Sequence, residues 1–268
     1  MKLNPTWDLL FGALLLATVL WYRLERPASH QVSKWRQSLF YLAMTLTTVV
    51  LVGPVPHIAV RIFWVHMVQH ILLMMLISPL IVLGSPFKVL LNSRFPRLQR
   101  LARGLASLKV IRILFKPQIG FVIFLATLIA THFGPLANAG MLNSNVHCLE
   151  LILFLLGGVI YYYPVLDGNP TPYPVSYAVR LGSLFAMMLP ETMTGFFLYS
   201  GNKLLHSVHF ASHQHSGQAS ATVTSLRDQH TGGALMWAMG MLIDSMWVVI
   251  AAKDWFAHEK NLAELEDE

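Results

Sequence analysis

Apolar positions dominate seven stretches of the chain, roughly Leu9–Tyr22, Ser38–Gly53, Ile62–Gly84, Gln118–Pro135, Val146–Leu166, Ala178–Ser200 and Gly232–Ala252. A helix needs about 20 mostly apolar residues to cross the hydrocarbon of a bilayer. The first two stretches are short and draw on their interfacial flanks. None alternates apolar and polar positions over about ten residues, as a membrane barrel strand does. The pattern therefore predicts an all-α polytopic bundle of about seven transmembrane helices, a single integral membrane domain over residues 1–268. The first stretch reads as a retained anchor rather than a signal peptide. No small-residue cleavage site follows Leu20, and Arg23 and Arg26 come after the apolar run.

Between the third and fourth stretches the pattern changes. Leu98, Leu101, Leu105 and Leu108 recur at helical spacing, while Arg97, Arg100 and Arg103 fall mostly away from them. That spacing predicts an amphipathic helix over residues 94–116 lying on the anionic cytoplasmic leaflet; a docking helix for a partner is the other reading. Residues 202–229, which include the polar run Ala211–Ser225, read as a flexible, His-rich external loop. Glu264–Glu268 reads as a solvated acidic end.

Composition agrees with a membrane chain. Hydrophobic residues make up 55% and charged residues only 12%, with a mean hydropathy of +0.54. A soluble domain carries about 25% charged residues, so disordered, collagen-like and disulfide-scaffold classes are excluded. The formal charge of +6 does not point to nucleic acid, because the basic residues sort by loop. Of the 19 Lys and Arg, 15 fall after span one, after span three, at the start of span six or in the tail. The positive-inside rule then predicts an external N-terminus and a cytoplasmic C-terminus. Cys148 is the one cysteine, which excludes an internal disulfide and a CxxC motif.

With that orientation the twelve histidines become informative. His30 and His258 fall on the cytoplasmic side. The other ten (His57, His66, His70, His132, His147, His206, His209, His213, His215 and His230) fall in outer loops or outer span ends. Neutral imidazole is a general transition-metal ligand. His66 and His70, at i and i+4 in span three, share a helix face, and Met74 continues the stripe. Two imidazoles grading into a thioether suit copper, Cu(I) above all; hydrogen bonds to neighbouring helices are the plainer use for the same histidines. His147 and Glu150 share a face at the outer end of span five, where the carboxylate would orient the imidazole. Cys148 beside them is a soft ligand or, more commonly, packing.

His132 and His230 are candidate ligands at the ends of spans four and seven. Glu191 in span six, after Pro190, serves charge balance of a bound cation or proton exchange. The alternative for Glu191 is a helix–helix hydrogen bond. His206, His209, His213 and His215 form a tract able to collect metal, and Asp244 pairs deeper with another span. The expected metal set is His66, His70, His132, His147, His230, Met74 and Glu191, with no catalytic residues.

The run His66-Met-Val-Gln-His70-Ile-Leu-Leu-Met-Met, followed by Ser78-Pro79-Leu80 and Gly84-Ser-Pro86, resembles the CtaG family of bacterial cytochrome c oxidase assembly proteins, the caa3-type group. Val146-His147, Gly157-Gly158, Tyr163-Pro164-Val165-Leu166, Asp228-Gln229, Gly232-Gly233 and Met236-Trp237 add to the likeness. The family pattern has a second histidine four residues after the one matching His147; here that position is Leu151. The resemblance implies a multi-pass protein of the bacterial plasma membrane, not an enzyme, that handles copper for a haem–copper oxidase. The partners it implies are oxidase subunit I or II, the lipid bilayer, an external copper chaperone and a second copy of the chain. Two rival readings of the histidines are a haem b electron-transfer protein and a copper permease. A zinc peptidase is disfavoured, since Met67 stands where HExxH has its glutamate.

Overall fold

The computed structural model describes residues 5–25, 32–59, 61–133, 135–166, 170, 173–204 and 218–266. Among them every regular element is helical. In chain order these are α1 (Pro5–Leu24), α2 (Lys34–Leu51), α3 (Pro54–Ala59), α4 (Phe63–Ile71), a π-helical segment (Leu72–Ile77), α5 (Ser78–Leu83), α6 (Pro86–Leu91), α7 (Pro96–Ser107), α8 (Lys109–Leu114), α9 (Pro117–Phe133), α10 (Pro135–Leu142), α11 (Ser144–Val165), α12 (Tyr177–Ser200) and α13 (Gln218–Glu266).

Six helical runs are long and apolar enough to cross a membrane: Thr6–Leu24, Lys34–Ala59, Phe63–Leu83, Ser144–Val165, Tyr177–Ser200 and Ser225–Leu265. The remaining expected span is α9, apolar but only 17 residues, about 25 Å at 1.5 Å per residue. The prolines at its start and at the start of α10 set those limits. The protein is an all-helical membrane bundle.

Burial divides the spans by role. In the run Phe63–Leu83 72% of the residues are buried, against 11% in Thr6–Leu24. The third span is therefore the axis of the bundle, and α1 turns Leu9, Leu14 and Leu16 outward, where hydrocarbon rather than water is the solvent. Around the axis, α13 packs against α4 and along α12, while α11 packs against α9, α5 and the π segment. The seam between α12 and α13 closes on glycine. A Cβ on Gly233 would lie 2.4 Å from Tyr199 N, and one on Gly195 would lie 2.8 Å from Trp237 N. Small residues let helix backbones approach this closely in a membrane.

Two expected segments differ. The amphipathic helix over 94–116 is two helices, α7 and α8, broken at Leu108, whose backbone is extended (φ −62°, ψ 130°). Gly104 and Ser107 weaken the helix just before the break, and Ser107 Oγ turns back to Gly104 O at 2.7 Å. Leu101, Leu105 and Leu108 remain exposed. The loop expected over 202–229 is helical from Gln218 onward, since no glycine or proline interrupts residues 218–231. The histidines His206, His209, His213 and His215, like His30, lie outside the described residues.

Candidate metal centre

The histidine pair sits where the axis helix changes its winding. After Ile71 the chain passes into six residues of π-helix, and Ser78 N donates to Leu73 O, five residues back. Pro79 has no N–H to offer Met75 O, which an α-helix would require. Trp247 of α13 supplies that donor through Nε1 at 2.8 Å. Ser78 Oγ lies 2.8 Å from Leu73 O and 2.9 Å from Leu155 O, sharing its proton between the axis and α11. Gly158 completes the junction, since a Cβ there would lie 2.5 Å from Met74 O. The wide turn is thus held by partners on two other spans, and such turns recur at functional sites.

Above it, His66 and His70 stand with ring centroids 4.1 Å apart. His147 enters from α11, its ring 4.9 Å from His66 and 6.1 Å from His70. One donor nitrogen from each of the three lies within 4.8 Å of the others, and all three residues are buried. Nitrogens bound to one ion at about 2 Å lie at most about 4 Å apart, so ring rotations of about an ångström would close the set. Glu150 Oε2 is 3.5 Å from His147 Nδ1. It reaches there because Gly140 has no side chain: a Cβ would fall 2.0 Å from the same oxygen. Cys148 and Leu151 face the apolar core instead.

His132 approaches from α9, 6.0 Å from His70 between ring centres. Its Nδ1 lies 2.8 Å from Leu128 O. A carbonyl only accepts, so Nδ1 carries the proton and Nε2 keeps its lone pair. Metal-binding histidines are commonly fixed in this way. His70 and His132 line a cavity of about 10 Å³ together with Met74, Met75, Met236 and Glu191, room for about one water or ion. Glu191 is 3% exposed, its carboxyl turned toward the cavity on one side. On its other side it lies beside Asp244, which also meets Tyr162. Asp244 thus pairs across spans, as its depth in the sequence suggests.

His230 does not join them. Its Nε2 donates to Gly201 O at 3.0 Å, at the end of α12. The reason is helical phase. Asp228, Gly232 and Met236, four apart, share the face of α13 toward α4 and the cavity, and residue 230 is roughly 200° around from that face at 3.6 residues per turn. His57 is exposed on α3.

Asp228 has a positioning task that its sequence context conceals. Ile62, before α4, has no side chain to cap the helix. Asp228 supplies the cap from 165 residues away, accepting from Phe63 N at 2.9 Å and Trp64 N at 3.1 Å. A carboxylate there also complements the positive end of the helix dipole. Gln69 Nε2 ties the same helix to Val50 O of α2 at 2.9 Å. Gln229 Nε2 contacts Leu198 O at 3.3 Å and Lys203 O at 3.2 Å. The polar residues around the histidines are thus mainly scaffold.

Comparison with known proteins places the chain. Uncharacterized proteins of Mycobacterium bovis and Mycobacterium tuberculosis are each 28% identical to it over 212 residues, covering 76% of this chain and 32% of theirs. One of Mycobacterium leprae matches with the same identity and coverage. The chain spans about a third of the length of these relatives. No solved structure matches it. The model of the cytochrome c oxidase caa3 assembly factor family matches residues 15–258, from within the first helix to beyond the last apolar stretch, and the chain belongs to that family.

Proposed function

We propose that the chain holds copper, as Cu(I), at His66, His70 and His147 and passes it to a haem–copper oxidase during assembly. The observation that carries this reading is the convergence of three buried imidazoles from two spans within 4.8 Å. It is supported by the adjoining cavity, where His132, Met74, Met236 and Glu191 add nitrogen, thioether and carboxylate donors. Imidazole with thioether selects Cu(I) over hard cations, and Glu191 supplies negative charge toward the bound ion. The small cavity also argues against a haem b protein, because about 10 Å³ admits an ion or a water and not a porphyrin. Acting by holding and handing over, the protein has no catalytic turnover of its own. Its partners are the oxidase subunit that receives copper and an external chaperone that delivers it.

The test is a strain lacking the protein, grown under copper limitation. The oxidase polypeptides are expected to be present but copper-poor and inactive, with activity restored by added copper or by the wild-type gene. Full copper and full activity in the deletion strain would remove the assembly role.

The orientation proposed for this function puts the N-terminus outside and the C-terminus in the cytoplasm of a bacterium, in its plasma membrane, with the histidines near the outer face. It rests on the distribution of basic residues, 15 of 19 on one side. A reporter enzyme fused after Glu268 should be active only when it is a cytoplasmic reporter; activity of an external reporter at that position overturns the orientation.

A further inference from the structure

The basic end of the bundle contains a second feature that copper handling does not use. The short helices α6, α7 and α8 close only in part onto the spans beneath them, where the rings of Phe87 and Phe115 meet Tyr163 of α11 at 5.3 and 4.6 Å. They leave a cavity of about 420 Å³ lined by Phe87, Leu91, Leu105, Phe115 and Tyr163, with Arg112 at its edge. Protein interiors rarely leave voids larger than a water molecule, and this one has the volume of a ligand pocket. Its lining is nearly all apolar, so water would find few partners there.

The charges around the opening are of one sign. Residues 88–116 hold eight Lys and Arg and no Asp or Glu. Arg112 and Lys116, both exposed, stand over the same ring: the Arg112 guanidinium lies 5.9 Å and the Lys116 ammonium 5.6 Å from the centre of Tyr173. The aromatic face holds two cations side by side. Beyond it lies a second and more open cavity of about 510 Å³, lined by Lys116, Gln118, Tyr173 and Ser176 among others. An apolar chamber with Arg112 at its edge thus lies near a second, less apolar one edged by Lys116, in a protein whose surroundings are lipid.

We propose that this is a binding site for one anionic phospholipid, with an acyl chain in the apolar cavity and the phosphate headgroup held by Arg112 and Lys116. A zwitterionic lipid would fill the same apolar space but would set its own ammonium against those two cations. The headgroup therefore decides occupancy. The lipid would act as the missing packing between α7–α8 and the ends of α6 and α11, fixing helices that otherwise rest on exposed leucines.

The site is tested on the full chain, purified in detergent and exchanged into nanodiscs of phosphatidylcholine with phosphatidylglycerol, by native mass spectrometry of what stays bound. One phosphatidylglycerol is expected to remain. Each basic group near anionic lipid contributes roughly fivefold, so the pair should favour it over phosphatidylcholine by about thirtyfold. Ala106→Trp, which fills the cavity from its exposed side, should release the lipid whatever its headgroup. The double variant Arg112→Gln/Lys116→Gln, both on the surface, should keep the helical circular dichroism of the wild type and lose the preference. The proposal is overturned if the wild type holds no lipid, or holds the two lipids equally, or if Ala106→Trp with wild-type circular dichroism retains phosphatidylglycerol as before. Because the readout is lipid, failure here leaves the copper reading intact, and failure of copper binding leaves this one intact.

Discussion

Purified protein carrying His66→Ala and His70→Ala together is expected to lose bound copper, by at least about a hundredfold in affinity if two of three strong ligands are removed. His66 and His70 share one helix face, their rings are 4.1 Å apart, and His147 alone on α11 cannot hold the ion against solvent. Glu150→Gln should be milder, about tenfold, as expected for a carboxylate that orients a ligand rather than binding the metal. Binding in the wild type should weaken in acid, because protons compete for the lone pairs that bind the metal. Metal analysis after dialysis against a Cu(I) chelator reads all three. Stoichiometric copper in the double variant would show that the cluster is not the site.

The second large effect concerns the α12–α13 seam. Gly233→Leu is expected to destabilise the folded protein in detergent by more than about 3 kcal/mol, since overpacking of a tight contact already costs 1–3 kcal/mol and here the obstacle is backbone. A Cβ at Gly233 would sit 2.4 Å from Tyr199 N and 2.8 Å from Gly195 O, neither of which can rotate away. Gly182 on the same helix α12 is the control: a Cβ there meets nothing within 4 Å. Gly182→Ala should be neutral or stabilising by up to about 1 kcal/mol, the ordinary difference between glycine and alanine in a helix. Thermal unfolding of the two variants side by side checks the contrast. Equal midpoints would mean that the seam is not closed as described.

Much of the architecture could be read from hydrophobic length, because in lipid every backbone group must be satisfied within a helix and only long apolar runs qualify. The stripe of His66, His70 and Met74 was legible for the same reason: i and i+4 on a helix admit one geometry. His147 was legible as a candidate, but its meeting with His66 is a tertiary fact that no spacing encodes. His230 shows the limit in the other direction. Depth in the membrane placed it level with the cluster, yet depth says nothing about phase around α13, and it turns to Gly201 instead. The π segment left one trace, Pro79 following Ser78 inside an apolar run, which marks a carbonyl in need of an outside donor. That Trp247 is the donor could not be read, since the two lie 172 residues apart. The break at Leu108 had a trace too, in Gly104 and Ser107, outweighed by the regular leucine spacing.

The cap that Asp228 places on α4 sets an order of events during synthesis. The first backbone donors of that helix, Phe63 N and Trp64 N, wait for a residue translated 165 positions later. Until α13 has been made and inserted, the first turn carrying the approach to His66 has no acceptor of its own, because Ile62 offers none. A nascent chain therefore carries the histidines in the membrane before it carries a finished place for them, and α13, made well after them, is the span that locks the first half of the cluster. Truncation ahead of Asp228 would in this way be felt at residue 66, far back in the sequence from the cut.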